Sequence, residues 1–191
     1  MSNTVHWPTR FEEMIRFVGL TQEDRQLIQD SGPLIMKDAR RLNDFIYDHL
    51  LAYPETRKFF VTDKDEPDEK RIEDNKRTML SWLRASSAAP TNDGFVRYLA
   101  AISQMHVNIP IHRPHLSPVA PRYTIGIIAY YQTAIADLLQ QHMSDAALAA
   151  RTSIAWNKWL MVMLELLLAH YLQHDEEAQA VDRQAAALSP H

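Results

Sequence analysis

The sequence predicts an all-α domain of about seven or eight helices. Three observations carry that expectation. Strand signals are nearly absent, with no sustained apolar–polar alternation and no Asn-Gly or Asp-Gly hairpin between β-rich runs. Apolar residues recur instead at helical spacing along most of the chain. Gly is scarce at 4, and the 10 Pro fall between the periodic segments, where helices stop.

Thr9 precedes Phe11, Met14, Ile15 and Val18, and Gly19 follows as a natural stop, which marks a first helix. Thr21-Gln22-Glu23-Asp24 has the form of a capping box with Asp in the Glu position. It opens a short second helix through Leu27 and Ile28. Gly32-Pro33 is expected to end that helix, with Pro33 at the first position of a third that runs to about Ala52. The third helix carries Leu34, Ile35, Leu42, Phe45, Ile46 and His49 at helical spacing. Tyr53-Pro54 breaks it, a turn with Phe59 and Phe60 follows, and the mixed-charge stretch from Thr62 to Lys70 reads as a solvated loop. Ile72, Met79, Leu80, Trp82 and Leu83 mark the next helix, closed by Ser86-Ser87-Ala88-Ala89-Pro90. Thr91, Asn92 and Asp93 offer N-caps for a helix bearing Phe95, Leu99, Ile102, His106 and Ile109. Pro110, Pro114, Pro118 and Pro121 keep the following segment irregular. Two long helices finish the fold, roughly 119–141 and 144–173, and a polar, Ala-rich tail follows. The domain boundaries expected are an N-terminal extension helix over 1–19, a main domain over 20–174 and a flexible tail over 175–191.

Composition excludes much. A chain of 191 residues, 46% hydrophobic with four Trp, seven Tyr and six Phe, suits one domain with a sizeable core. The absence of Cys rules out disulfides, thiolate zinc sites, iron–sulfur clusters, covalent CxxCH haem attachment and a cysteine nucleophile. A net charge of -4 without a basic block argues against nucleic acid as partner. The first residues lack the apolar core and basic flank of a signal peptide. The longest apolar run, Leu160 to Leu172, is interrupted by Glu165 and His170 and is too short to span a bilayer. A soluble, cytoplasmic protein without a membrane partner is the expectation.

Nine His form the chemically interesting set. On a helical wheel Phe95, Leu99, Ile102, His106 and Ile109 fall within about 80° of one another, so His106 sits mid-stripe and faces the core. Two readings stand for it. One is a buried neutral His satisfied by a carbonyl; the other is an axial ligand to a buried metal cofactor. His112 and His115 form an HxxH pair in a proline-broken loop, without the helix or Glu of a zincin. His170 and His174, four apart, lack an obvious third ligand and read as a solvated face. His142 reads as a helix C-terminal cap, His49 as packing, and His6 and His191 lie near the ends. No Glu-x-x-His, no Gly-x-Ser-x-Gly and no Gly-rich phosphate loop occurs, so di-iron and hydrolytic chemistry find no support. Trp156, Trp159 and Tyr171 at helical spacing read as core.

Two longer motifs carry a family resemblance. Tyr47-x-His49-Leu50-Leu51-x-Tyr53-Pro54-Glu55-Thr56-Arg57-x-Phe59-Phe60 resembles the early helices of protoglobins and globin-coupled sensors. Tyr98-Leu99-x-x-Ile102-x-x-x-His106, followed after a loop by Arg122-Tyr123, resembles their proximal region. The leading helix before Thr21 suits the same branch, and the similarity covers roughly Leu20 to Tyr171. The resemblance implies a globin-like fold with an extra N-terminal helix, the globin domain occupying 20–174. It implies haem b bound without a covalent link, His106 as proximal iron ligand and Tyr47 as the distal hydrogen-bond donor to O2, CO or NO. By periodicity alone Tyr47 lies off the main apolar face, on a shoulder with Met36, Leu50 and Leu51. Ile46, Asn75, Met79, Ile127 and Tyr131 match further haem-pocket positions, Ile46 and Met79 where the family can place bulky aromatics. Asn75 would offer an amide donor near the usual distal-histidine position. The proline-rich segment from Pro110 to Pro121 departs from the family's length.

The last helix is apolar around most of its circumference, from Trp156 through Leu168, more than one domain face uses. Part of it is therefore expected to form a homodimer, and the resemblance points the same way, implying a bundle built from the last two helices of each subunit. Three function classes follow. The favoured one is reversible binding of diatomic gases for sensing or storage. The second is haem-dependent redox chemistry such as NO dioxygenation or peroxidase-like turnover, which would need a reductase as partner; no dedicated catalytic residue is visible. The third is a haem-free helical interaction module.

Overall fold

A computed structural model describes residues 6–108 and 116–188, with side chains as far as Tyr171. Ile109, Pro110, His112, Pro114, His115 and His191 lie outside the described residues, and so does the His174 side chain. Among the described residues there are seven helices: α1 (Trp7–Phe17), α2 (Gln22–Ala52), α3 (Pro54–Arg57), α4 (Glu69–Ser87), α5 (Asp93–Val107), α6 (Pro121–His142) and α7 (Ala146–Leu188).

Most ends follow the punctuation of the sequence. Thr21 and Asp24 form a reciprocal capping box at the start of α2. Asn92 accepts from the Phe95 N–H to cap α5, and Asp145 accepts from the Leu148 N–H to cap α7. Gly19 takes φ +63 just past α1, a conformation only glycine adopts without strain. His6, expected near a loose end, instead caps α1 by accepting from the Thr9 backbone. The loop between α3 and α4 is tied by a Val61–Pro67 bridge and by Arg57, which ion-pairs with Asp65.

Two expectations are corrected. Gly32-Pro33 does not end a helix: α2 runs unbroken from Gln22 to Ala52 with Pro33 inside it. Buried Ile28, Ile35 and Ala39 lie on both sides of the proline, so packing holds a helix that local propensity would break. The second correction concerns α7, which extends to Leu188 and packs against α1, α2, α5 and α6. Trp156, Trp159, Leu160, Val162, Met163, Leu166 and Leu167 are all buried within this one chain. Only Met161, Leu164 and Leu168 of its apolar series stay half-buried. Most of the apolar circumference is thus covered by α1, α2, α5 and α6, with one face of α7 left outward.

The core is satisfied as well as filled. The Trp156 indole N–H donates to Ser31 Oγ and that of Trp159 to the Ser86 carbonyl, both at 2.9 Å. Phe95 stacks on Trp159 at 5.6 Å between ring centres, and Phe11 of α1 packs edge-on against both. Arg10 ion-pairs with Glu165 and secures α1 to α7. No helix among the described residues is long and apolar enough to cross a membrane.

Candidate functional site

An apolar cavity of about 350 Å³ opens between α2, α4, α5 and α6, with Leu167 of α7 at its base. That is the size class of small-molecule and cofactor sites. Phe59, Phe60, Met79, Trp82, Ile102, Met105, Ile127 and Ile128 provide most of its wall. Such a lining favours an apolar ligand.

His106 enters from the last turn of α5. Its Nδ1 lies 2.9 Å from the Ile102 carbonyl. A carbonyl only accepts, so Nδ1 carries the proton and, in the neutral ring, the Nε2 lone pair is left free. Burial holds this imidazole below its ordinary pKa, against the Ile102 hydrogen bond, which favours the proton. The ring is therefore neutral at pH 7. The carbonyl that a core histidine would need for satisfaction is the same one that orients a ligand histidine, so the two readings meet in one geometry. His106 also lines the cavity, so the ring borders open space as well as its own helix.

Tyr47 faces the same space from α2. It is 3% exposed, and its hydroxyl has no hydrogen-bond partner among the described residues. Burial pushes the phenol well above its ordinary pKa, so it remains a neutral donor. Its ring packs edge-on to Phe60 at 5.4 Å. Tyr131 stands beside it, fully buried, yet its hydroxyl donates to Asn43 Oδ1 at 2.9 Å and is spent. Tyr123, also on the wall, sits under the Arg122 guanidinium at 4.9 Å. Its hydroxyl accepts from Arg122 at 3.5 Å, so on this wall Tyr47 and Tyr123 keep an O–H to donate while Tyr131 does not.

The structure brings His106, Tyr47, Asn75, Met79, Ile127 and Tyr131 to one cavity. Ile46 does not line it: fully buried, it joins the helix core on the other side of α2. Consecutive residues of a helix point about 100° apart, so Tyr47 and Ile46 face different neighbours. Asn75 lines the wall, but its amide donates to the Arg71 carbonyl of its own helix at 2.8 Å. One of its two amide N–H groups is thereby committed, and the second N–H and the carbonyl oxygen remain. Asn43 was not singled out from the sequence. The signal was present, a polar residue one turn before Tyr47 on a buried helix, and its amide bonds the Lys76 carbonyl at 2.9 Å.

Three further described histidines pack or pair away from the cavity lining. His49 bonds the Tyr130 hydroxyl at 2.5 Å and packs against Tyr53. His142 stands 3.7 Å from Asp38, and His170 packs on Trp7 at 4.7 Å. Among the described residues no group of three or more His, Asp or Glu could hold a bare metal ion.

The sequence pattern of the family described as Protoglobin matches residues 8–177. No curated protein matches the chain. Among solved structures, the globin domain of a Geobacter sulfurreducens globin-coupled sensor is similar over 84% of this chain and 96% of that one, with 22% identity and a TM-score of 0.71. At that identity the likeness shows a globin fold.

Proposed function

The chain belongs to the protoglobin family, and on that premise we propose that it holds haem in the cavity through His106 and binds a diatomic gas beside Tyr47, for sensing or storage. The observation that carries the reading is the pairing of His106, whose Nδ1 is committed to Ile102, with an unpartnered Tyr47 hydroxyl on one cavity wall. The residues fit the group: a free imidazole lone pair, an apolar wall, and an unpaired donor. When bound, haem supplies an iron with one position open to O2, CO or NO.

The chain's own part is threefold. His106 keeps a neutral ring and presents Nε2. Phe59, Phe60, Met79 and Ile127 keep water out, which strengthens polar contacts inside. Tyr47 offers its O–H to whatever ligand gathers negative charge, so O2 gains more from it than CO does. The chain has no Cys, so the group is held without thioether links.

A second copy is part of the same reading. Ala150, Ile154, Asn157, Met161, Leu164 and Leu168 form a stripe on the outer face of α7 at alternating steps of four and three. Ile154 is 55% exposed. This stripe, rather than the whole helix, is the surface for a homodimer.

The test is the visible spectrum of the purified protein, ferric, reduced and under CO, alongside His106→Ala. A Soret band that shifts with CO and is lost or displaced in His106→Ala is the expected result. A chain that refuses added hemin would leave a haem-free helical interaction module as the better reading.

A further inference from the structure

Lys76 stands one residue after Asn75 on α4, and three residues of a single α2 turn converge on it. Its Nζ donates to Asp44 Oδ1 at 2.6 Å. Its carbonyl accepts from the Asn43 amide at 2.9 Å. The same Nζ lies 5.7 Å from the centre of the Tyr47 ring, within reach of a cation–π contact. The Lys76 side chain is 21% exposed, so its charge is sheltered, while its partner Asp44 is 51% exposed and nearer water.

From this convergence we infer that Lys76 is a positioning residue for Tyr47, setting both the orientation and the donor strength of the distal hydroxyl. The inference rests on the distal role proposed for Tyr47. Phe60 packs edge-on to the ring, and the Lys76 ammonium stands over it, so the ring has contacts that oppose its turning away. A positive charge near an aromatic ring also draws electron density from it, and a phenol so polarised donates a stronger hydrogen bond. The Lys76 carbonyl acts on the neighbouring tyrosine. It fixes Asn43, and Asn43 in turn holds the Tyr131 hydroxyl away from the cavity's chemistry. One α4 residue thereby distinguishes the tyrosine that meets ligand from the one that does not.

The experiment reads the infrared C–O stretch of the CO complex and the rate of O2 release in the hemin-loaded full chain. The variants are Lys76→Met, Lys76→Arg, Tyr47→Phe and the Lys76→Met/Tyr47→Phe pair. Lys76→Met is expected to move the C–O stretch in the same direction as Tyr47→Phe but by less, and to speed O2 release about two- to fivefold. Lys76→Arg, which keeps the cation, restores both readouts. In the Tyr47→Phe background, Lys76→Met changes neither. A residue that only braces the fold would lower the melting temperature and leave the stretch in place, and that result overturns the inference. So does a Lys76→Met shift that persists without the Tyr47 hydroxyl. If Tyr47→Phe alone leaves both readouts unmoved, or the chain takes up no hemin, the distal reading itself fails and this inference falls with it.

Discussion

Tyr47→Phe removes an oxygen that forms no hydrogen bond among the described residues, so the fold has little to lose by it. A hydrogen bond to a charged partner is worth about 1.5–3 kcal/mol, which converts to O2 release on the order of ten- to a hundredfold faster. CO, which gathers little charge, is expected to leave at nearly the original rate. Stopped-flow release of the two gases checks this, and equal acceleration of both would remove Tyr47 from the distal role. The two principal residues differ in how far the sequence exposes them. His106 lies in the middle of one apolar stripe, because α5 buries a single face, and its placement was legible by wheel arithmetic alone. Tyr47 was not. α2 packs Ile35, Ala39, Leu42 and Ile46 into the core, while Asn43 and Tyr47 turn toward α4 and α6. A helix buried on two sides has no single moment to read, and so the resemblance, not the periodicity, placed Tyr47. Ile46, matched by resemblance to a haem-pocket position, lies in the core cluster and not in the cavity lining, about 100° around the helix from Tyr47.

At the scale of elements, helix starts were legible because caps are local chemistry, whereas the continuity of α2 was not, because tertiary packing overrides Gly32-Pro33. The crossing of α2 and α4 explains why glycine stands there. A Cβ on Gly32 would meet Ser87 Cβ at 3.0 Å and the Ser87 carbonyl at 3.3 Å. Gly32→Ala is therefore expected to destabilise by about 1–3 kcal/mol despite its better helix propensity. Chemical denaturation would show it, and a stabilised variant would mean the helices separate at no cost. The junction of α1 and α2 has its own pH signature. Burial alone would raise the Asp24 pKa, but the Thr21 backbone N–H and the Lys158 ammonium outweigh it and hold the carboxyl below its ordinary 3.8. The unfolded state then binds the proton first as pH falls, so Asp24 stabilises the fold fully above about pH 5. That contribution fades below 3.8 and is gone once the folded-state carboxyl has titrated. Asp24→Asn is expected to lower the melting temperature at pH 7, and the gap from wild type to close toward pH 3. A gap that stays constant with pH would show that the charge is irrelevant there.

For the whole molecule, the expectation of a dimer arose from an α7 too apolar for one face. The observed packing answers most of that excess inside the chain, since α7 packs on α1, α2, α5 and α6. One sequence cannot reveal that a helix is central rather than paired, because both put apolar residues all round. What remains is the outer stripe through Ile154, Met161 and Leu168. Ile154→Glu is expected to convert a dimer to monomers at micromolar concentration by light scattering, without loss of helicity. Wild-type protein already at monomer mass would remove the dimer from the reading. The central place of α7 also bears on how the protein comes into being. A ribosome delivers the chain from its N-terminus at about 5–20 residues per second. The helix that the others close upon is thus the last of the seven to emerge. Until Trp156 and Trp159 leave the exit tunnel, α1, α2, α5 and α6 can pack only on one another and on α4, and the faces they turn toward α7 stay uncovered. The core is completed only when α7 arrives, so an incomplete chain on the ribosome exposes the apolar faces that Trp156 and Trp159 later cover, and biosynthesis is where this architecture is open to aggregation.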